Sequence, residues 1–472
     1  MLAFKSATEL VAMLRDRQVS PAELFAEYQA RIRRYNGKLN AIIWQDPNAE
    51  ATVRNARTDT PLAGLPMTVK EAFDLTGSPT TWGMPELRNN VATTDSVVVE
   101  RLRAAGATVF GKTNVPLNLG DLQSYNVIYG TTDNPWMAGR TPGGSSGGSA
   151  AALAAGLTGL EMGSDIGGSI RNPAHYCGVF GHKPTYKLVP SRGHAPPGSI
   201  AEPEIAVVGP LARSAADLDL ALDILAKPDR LESGIRYDLP RLDGRKLGDL
   251  KVAVWANDEM APVSRDCERA VMKVADAIRR AGGTVNAEAR PAFTSRDSHA
   301  AYYGLVMSFL MAGTPDAAFA DLKAQAMNLA PNDTSDAAQT LRAQTMDHRT
   351  YVQMNEARER LRWAWRNFFD EYDVLLAPIA STGAFPHNHA PMESRTIDVD
   401  GTQRPYFEHI FWAGLVGVAY LPSTVIPTGT NAQGLPIGVQ VIGPAYGDRI
   451  TIGVARLLEA EGFAFTPPPT LV

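Results

Sequence analysis

Apolar residues recur at helical spacing at the start of the chain. Leu10, Met13 and Leu14 follow a capping box, Ser6-Ala-Thr-Glu9, and a second box, Ser20-Pro21-Ala-Glu23, opens a helix that runs to about Tyr35. The two predict a helical cover packed on the core. The period then changes. Residues 67–69 form a short apolar strand with Lys70 at its exit, and residues 107–111 form another. Between them, 95–105 reads as a helix with Val98, Leu102 and Ala105 on one face, stopped by Gly106. Helix again describes 214–226, with Leu218, Leu222 and Leu225 inward. A strand follows at 250–255, then a helix capped by Ser264 and ended by Gly282-Gly283. Residues 297–370 read as wholly helical. Strands at 372–378, 421–427 and 437–442 follow, and then a last helix capped by Asp448 and ended by Gly462. These strands are continuous apolar runs, the pattern of a sheet covered on both faces. Strand–helix alternation of this kind predicts an α/β fold.

Two segments break the pattern. Residues 113–142 make a loop too long to be idle in a compact domain, and Tyr125, Tyr129 and Trp136 argue against disorder there. Residues 227–249 are polar and rich in Pro and Gly, which makes them the one internal boundary the sequence offers. The longest apolar run, 410–425, is interrupted by Gly414, Gly417 and Pro422 and reads as core, not as a membrane span.

Composition narrows the function classes. At 472 residues, length alone favours two to three domains. A net charge of −5 supplies no basic face for nucleic acid. Cys177 and Cys267 form no framework and read as reduced thiols of a cytoplasmic protein. The first residues lack the charged-then-apolar signature of a signal peptide.

The chemistry concentrates in residues 141–173. Two serines, Ser145 and Ser169, are flanked by glycines at the two ends of a small-residue helix. Glycine there admits unusual torsions and close approach of a ligand. Gly143-Gly-Ser145-Ser-Gly147 matches the nucleophile elbow in form, but a Pro/Gly loop and not a strand precedes it, and no histidine pairs with an acid at an evident strand end. A phosphate loop would need Lys-Ser/Thr after the second glycine, where Gly148-Ser149 stands. No Ser-x-x-Lys occurs, and His387-Asn-His389 is the only close histidine pair, too few ligands for a metal site. In Asp165-Ile-Gly-Gly-Ser169, the backbone N–H groups of Ile166, Gly167, Gly168 and Ser169 can turn inward together, making a nest for developing negative charge.

From these residues the chain resembles the amidase signature family. The likeness covers Gly64-Leu-Pro-Met-Thr-Val-Lys70, Gly111-Lys-Thr-Asn-Val-Pro, Asn134-Pro-Trp, Thr141-Pro-Gly-Gly-Ser-Ser-Gly-Gly, Gly163-Ser-Asp-Ile-Gly-Gly-Ser-Ile-Arg171, Gly181-His-Lys-Pro-Thr and Leu435-Pro-Ile-Gly-Val-Gln-Val-Ile-Gly443. It implies one α/β/α sandwich around a large mixed β-sheet, spanning 1–472 as a single domain. Core motifs would lie in 64–213, with a divergent, largely helical substrate-side region at about 228–420. It also implies roles: Lys70 the catalytic lysine, Ser145 a bridging serine held by a cis peptide, Ser169 the nucleophile, and Ile166, Gly167 and Gly168 with Ser169 the oxyanion hole. Leu119 would contact substrate through its backbone, and Ser146, Asp165 and Arg171 would brace the loop.

The chemistry so implied needs no metal, nucleotide or flavin. A neutral lysine takes a proton from Ser145, Ser145 takes one from Ser169, and Ser169 attacks an amide carbonyl. The expectation is an amidase for small amides with an apolar or aryl acyl side. The aromatics Tyr302, Tyr303, Phe309, Tyr406, Phe407, Phe411 and Trp412 would either line that pocket or simply be core. The alternative is the glutamine-hydrolysing component of a tRNA-dependent amidotransferase, disfavoured because 189–198 lacks the Ala-Ser-Ser-Leu-Asp-like pattern associated with that component. His182 also departs from the family, standing where an apolar residue is usual. A catalytically dead binding relative is disfavoured because Lys70, Ser145 and Ser169 are all present. A homodimer is expected from the family alone.

Overall fold

The computed structural model describes residues 1–472. A three-stranded sheet forms from β1 (Ile42–Gln45), β2 (Pro66–Lys70) and β3 (Thr108–Thr113), in the order β1-β3-β2. The main sheet has eight strands: β4 (Glu161–Asp165), β5 (Phe180–Lys183), β6 (Val207–Ala212), β7 (Lys251–Val254), β8 (Thr284–Asn286), β9 (Val374–Ala377), β10 (Ser423–Thr430) and β11 (Pro436–Ile442). Their order is β8-β7-β9-β11-β10-β5-β6-β4. The β7–β8 and β7–β9 pairs are parallel and the rest antiparallel, so the sheet is mixed.

Strand alternation explains why both faces are covered. On β10, Ser423 Oγ donates to Gln440, which in turn meets Arg171 of the helix α1 (Arg171–Cys177). The next residue, Thr424, points the other way and bonds Thr451 of the helix α2 (Asp448–Ala460). Helices thus lie on both faces of the central strands, and the fold is an α/β/α sandwich. Strands from both sides of 227–249 join this one sheet.

The two predicted capping boxes are present, at Ser6–Glu9 and Ser20–Glu23. The second helix ends at Arg31 and continues to Asn36 as a π-turn. Residues 297–370 are helical but divided among Ser295–Leu310, Asp316–Met327, Asp336–Gln344 and His348–Phe368. The apolar run from Ile410 packs as a buried helix, Ile410–Gly417, and no helix is long and apolar enough to cross a membrane. Asp448 does not cap α2. It is the helix's first residue, and its carboxylate turns inward to accept from Thr185 N (2.8 Å), Thr185 Oγ1 (2.6 Å) and His182 Nε2 (3.1 Å). Tertiary donors outcompete the local N–H groups for it. His182 completes its bonding through Nδ1 to Thr424 Oγ1 (2.9 Å), so the polar ring at this position is satisfied without solvent.

Glu161 opens β4 fully buried, next to the Thr68 hydroxyl and the N–H of Met162. Burial pushes its carboxyl up to about 8, against the pull of those hydrogen bonds. Between its ordinary value of 4.5 and about 8, the folded chain keeps a proton that the unfolded chain loses. Stability therefore falls as pH rises through that window. Glu161→Gln should abolish this loss. Its melting temperature should match wild type at pH 5 and exceed it by a few degrees at pH 8.5, and equal melting at both pH values would refute the assignment.

Candidate active site

Lys70 is the last residue of β2, and its side chain is fully buried. Its Nζ lies 2.6 Å from Ser145 Oγ and 2.9 Å from Ser164 Oγ. Burial lowers its pKa from 10.5 to about 7, even though the charges of Asp165 and Glu71 pull upward. The amine is therefore poised to exchange a proton near neutrality, with a serine hydroxyl in contact.

Ser145 enters this contact from a loop with little room to move. The Gly144–Ser145 peptide is cis, and Gly144 donates to Asn172 Oδ1 at 3.0 Å. A Cβ on Gly144 would sit 2.3 Å from the Asp121 carbonyl oxygen, so only glycine fits there. Ser146 follows as a tie between segments. Its N–H donates to the Ser169 carbonyl (3.1 Å), and its Oγ accepts from Ser164 N (3.3 Å). The helix Gly147–Ala154 then carries the chain away, buried throughout by its small side chains.

Ser169 lies beyond β4, nearly buried at 7% exposure, and its Oγ has no intramolecular hydrogen-bond partner. Asp165 organises the loop that leads to it. Its carboxylate accepts from Gly168 N and Ile170 N, both at 3.0 Å, and from Arg171 Nε (3.0 Å) and Nη2 (2.8 Å). Burial alone would raise the Asp165 carboxyl, but the Arg171 guanidinium and these N–H bonds hold it at about 2. Arg171 also donates to Gln440 Oε1 and the Ala413 carbonyl, both at 3.2 Å, which anchors the loop to β11 and to the helix Ile410–Gly417.

This arrangement corrects the expected nest in one respect. Gly168 N–H is already bonded to Asp165, so it is not available to a ligand. The N–H groups of Ile166, Gly167 and Ser169 have no intramolecular acceptor and remain free to stabilise negative charge. Leu119 sits in a turn with φ of 55°, beside the strand-connecting loop whose Asp121 carbonyl faces Gly144.

Two groups, Ser164 and His194, lay outside what sequence pattern singled out, and a third, Tyr302, was considered there only for an acyl pocket or core. Ser164 is a second partner of Lys70, and the only sequence signal for it is its place inside the Gly163-Ser-Asp motif. Tyr302 donates its hydroxyl to the Ile166 carbonyl at 3.0 Å. His194, from the divergent 189–198 run, is buried against Phe73 and Trp82, with ring centroids 4.6 and 5.2 Å away. Burial and then the Lys70 charge lower its pKa to about 3. Of the aromatics considered for an acyl pocket, Trp412 and Tyr406 are buried and bonded within the protein, Trp412 to the Ala261 carbonyl and Tyr406 to Asp121. Phe407 is 38% exposed.

Comparison with known proteins matches the amidase family model over residues 23–452. The chain is 33% identical to a putative amidase, AmiB2, of Mycobacterium tuberculosis, covering 97% of this chain and 96% of that one. It is also 30% identical to an indoleacetamide hydrolase of Bradyrhizobium diazoefficiens, over 96% of this chain and 86% of that one. A glutamyl-tRNA(Gln) amidotransferase chain of Deinococcus radiodurans is likewise 30% identical, with 98% of both chains covered. Among solved structures, a protein complex tied to the evolutionary origins of an s-triazine catabolic enzyme superposes with a TM-score of 0.81 at 27% identity, covering 98% of this chain and 99% of that one.

Proposed function

The chain belongs to the amidase signature family, and from that premise we propose that it is a free-standing serine amidase acting through an acyl-enzyme on Ser169. The observation that carries this reading is the buried Lys70 amine, 2.6 Å from Ser145 and with a pKa near 7. A serine hydroxyl needs a base to attack an amide. In the proposed sequence, neutral Lys70 draws a proton from Ser145 and Ser145 draws one from Ser169. Ser169 Oγ, with no partner of its own, is free to turn towards Ser145 and the substrate carbonyl. The Ser169 oxygen forms a bond to the carbonyl carbon, and the oxyanion rests on the N–H groups of Ile166, Gly167 and Ser169. The proton then returns through Ser145 to the leaving nitrogen, the C–N bond breaks, and water releases the acid. Ser146, Asp165 and Arg171 hold the loop without touching the reacting atoms. One domain over 1–472 fits the sheet's continuity across 227–249.

The wall beside the oxyanion loop supports an apolar or aryl acyl side. The side chains of Ile410 and Ala413 stand beside Gly167 and Gly168, with the Asn172 amide also near Gly168. The charged side chains beside the loop, Asp165 and Arg171, are paired with each other. This favours an uncharged, apolar or aryl acyl group over the ammonium and carboxylate of glutamine. The indoleacetamide hydrolase likeness points the same way. The free, buried thiols of Cys177 and Cys267 fit a reducing cytoplasm.

The similarity to a glutamyl-tRNA(Gln) amidotransferase chain supports a second reading, in which this protein hydrolyses glutamine within a complex. The purified chain, offered aryl and alkyl acetamides and glutamine, separates the two. Turnover of aryl amides by the chain alone is expected. Glutamine turnover that appears only with partner proteins would overturn the proposal.

A further inference from the structure

Tyr302 comes from the divergent helical region, on the helix Ser295–Leu310, yet it reaches the centre of the site. Its side chain is fully buried. The ring lies against Gly414 of the helix Ile410–Gly417, so closely that a Cβ there would be 2.3 Å from the ring. This contact fixes the ring plane, because neither the tyrosine nor the glycine backbone has room to shift. The hydroxyl then points at the oxyanion loop. It donates to the Ile166 carbonyl at 3.0 Å and would sit 3.2 Å from a Cβ on Gly167.

The consequence follows from peptide geometry. In a trans peptide the C=O of one residue and the N–H of the next point in opposite directions. Holding the Ile166 carbonyl to one side therefore sends the Gly167 N–H to the other. Gly167 lacks the Cβ that would otherwise limit its torsions, so the peptide needs an external anchor to stay in one orientation. Asp165 supplies such anchors to Gly168 and Ile170 but none to the peptide between Ile166 and Gly167. The Tyr302 hydroxyl is the one side-chain donor on that carbonyl. Burial raises its pKa, so it remains protonated and a donor throughout the working range.

We propose that Tyr302 is a positioning residue that orients the Ile166–Gly167 peptide and thereby aims the Gly167 N–H at the developing oxyanion. The proposal rests on the amidase reading above and assigns to the substrate-side helices a share in setting the catalytic loop. Tyr302 touches neither substrate nor reacting atoms. A preorganised donor counts because it costs no reorientation in the transition state.

Tyr302→Phe tests this, since it keeps the ring on Gly414 and removes only the hydroxyl. With an aryl acetamide, kcat should fall by about 10- to 100-fold while KM stays within about twofold, less than the loss from deleting an oxyanion donor outright. The inhibition constant of a trifluoromethyl ketone analogue, whose adduct carries the oxyanion, should weaken by the same factor. Wild-type kcat and inhibitor affinity, or a change confined to KM, would overturn the proposal. A crystal structure of the variant gives a readout independent of activity: the Ile166–Gly167 peptide should turn, and an unmoved peptide would also overturn it. Failure of the amidase reading looks different, because wild-type enzyme would then cleave no amide and bind no trifluoromethyl ketone.

Discussion

Ser169→Ala should lower kcat/KM for amide hydrolysis by about 10⁴-fold or more, the scale of removing a serine nucleophile from other hydrolases. The loss should fall on kcat. The substrate wall and the free N–H groups of Ile166 and Gly167 remain, so ground-state binding should change little. The fold should survive as well, because the loop is held through the backbone carbonyl of Ser169, which accepts from Ser146 N–H, and through the Asp165–Arg171 pair. Melting within a degree or two of wild type would separate lost chemistry from lost structure. A fluorophosphonate probe should label wild-type enzyme at Ser169 and leave the variant unlabelled. Full activity in Ser169→Ala would remove the acyl-enzyme from consideration, and labelling at Ser145 in its place would reverse the roles of the two serines.

Lys70→Ala should cost about 10³- to 10⁴-fold, the upper range for a general base, and the cost should depend on pH. In wild type, kcat/KM should rise as pH passes through about 7 and then level off, because burial lowers the Lys70 amine to that value and only the neutral amine accepts a proton. The sign follows from the group. A base with a depressed pKa is competent above it and protonated below it. The variant should lack this rise, so the gap between the two enzymes is widest at and above neutral pH and narrows in acid. The nearest histidine does not confuse the profile, since burial and then the Lys70 charge hold His194 neutral down to about 3. A rise near 7 that persists in Lys70→Ala would assign the titration to another group.

Local sequence singled out the two serines, for a physical reason, while Lys70 was named as catalytic only through the family resemblance. Glycines beside Ser145 and Ser169 are required by backbone approaches that admit no side chain, such as Gly144 against the Asp121 carbonyl. A close-packed turn of that kind leaves its mark in the residues themselves. Strands β2, β3, β7, β9, β10 and β11 were legible for a similar reason, because they are apolar runs of a covered sheet. Strands β1, β4, β5, β6 and β8 were not, and β4 (Glu-Met-Gly-Ser-Asp) and β5 (Phe-Gly-His-Lys) are buried without any apolar run to mark them. Element ends were also less legible. Asp448 has the composition of a helix cap, yet Thr185 and His182, far away in sequence, claim its carboxylate. The long helical stretch from 297 breaks into four, at Gly313-Thr-Pro315, at Pro331 with the Ser335 cap, and at the Asp347 cap.

The sequence by itself determined the family and the α/β alternation, and it proposed the two serines from their flanking glycines and Lys70 from the order of the family motifs. Tertiary structure alone decided what those residues can do. Burial of Lys70, and with it an amine that titrates near 7, comes from elements that surround it and not from its neighbours in the chain. The same holds for the nest, where Asp165 takes Gly168 N–H and leaves the others free, and for Tyr302, which arrives from 136 residues downstream of Ile166. Desolvation and hydrogen-bond partnership are properties of three-dimensional packing, and no local pattern encodes them.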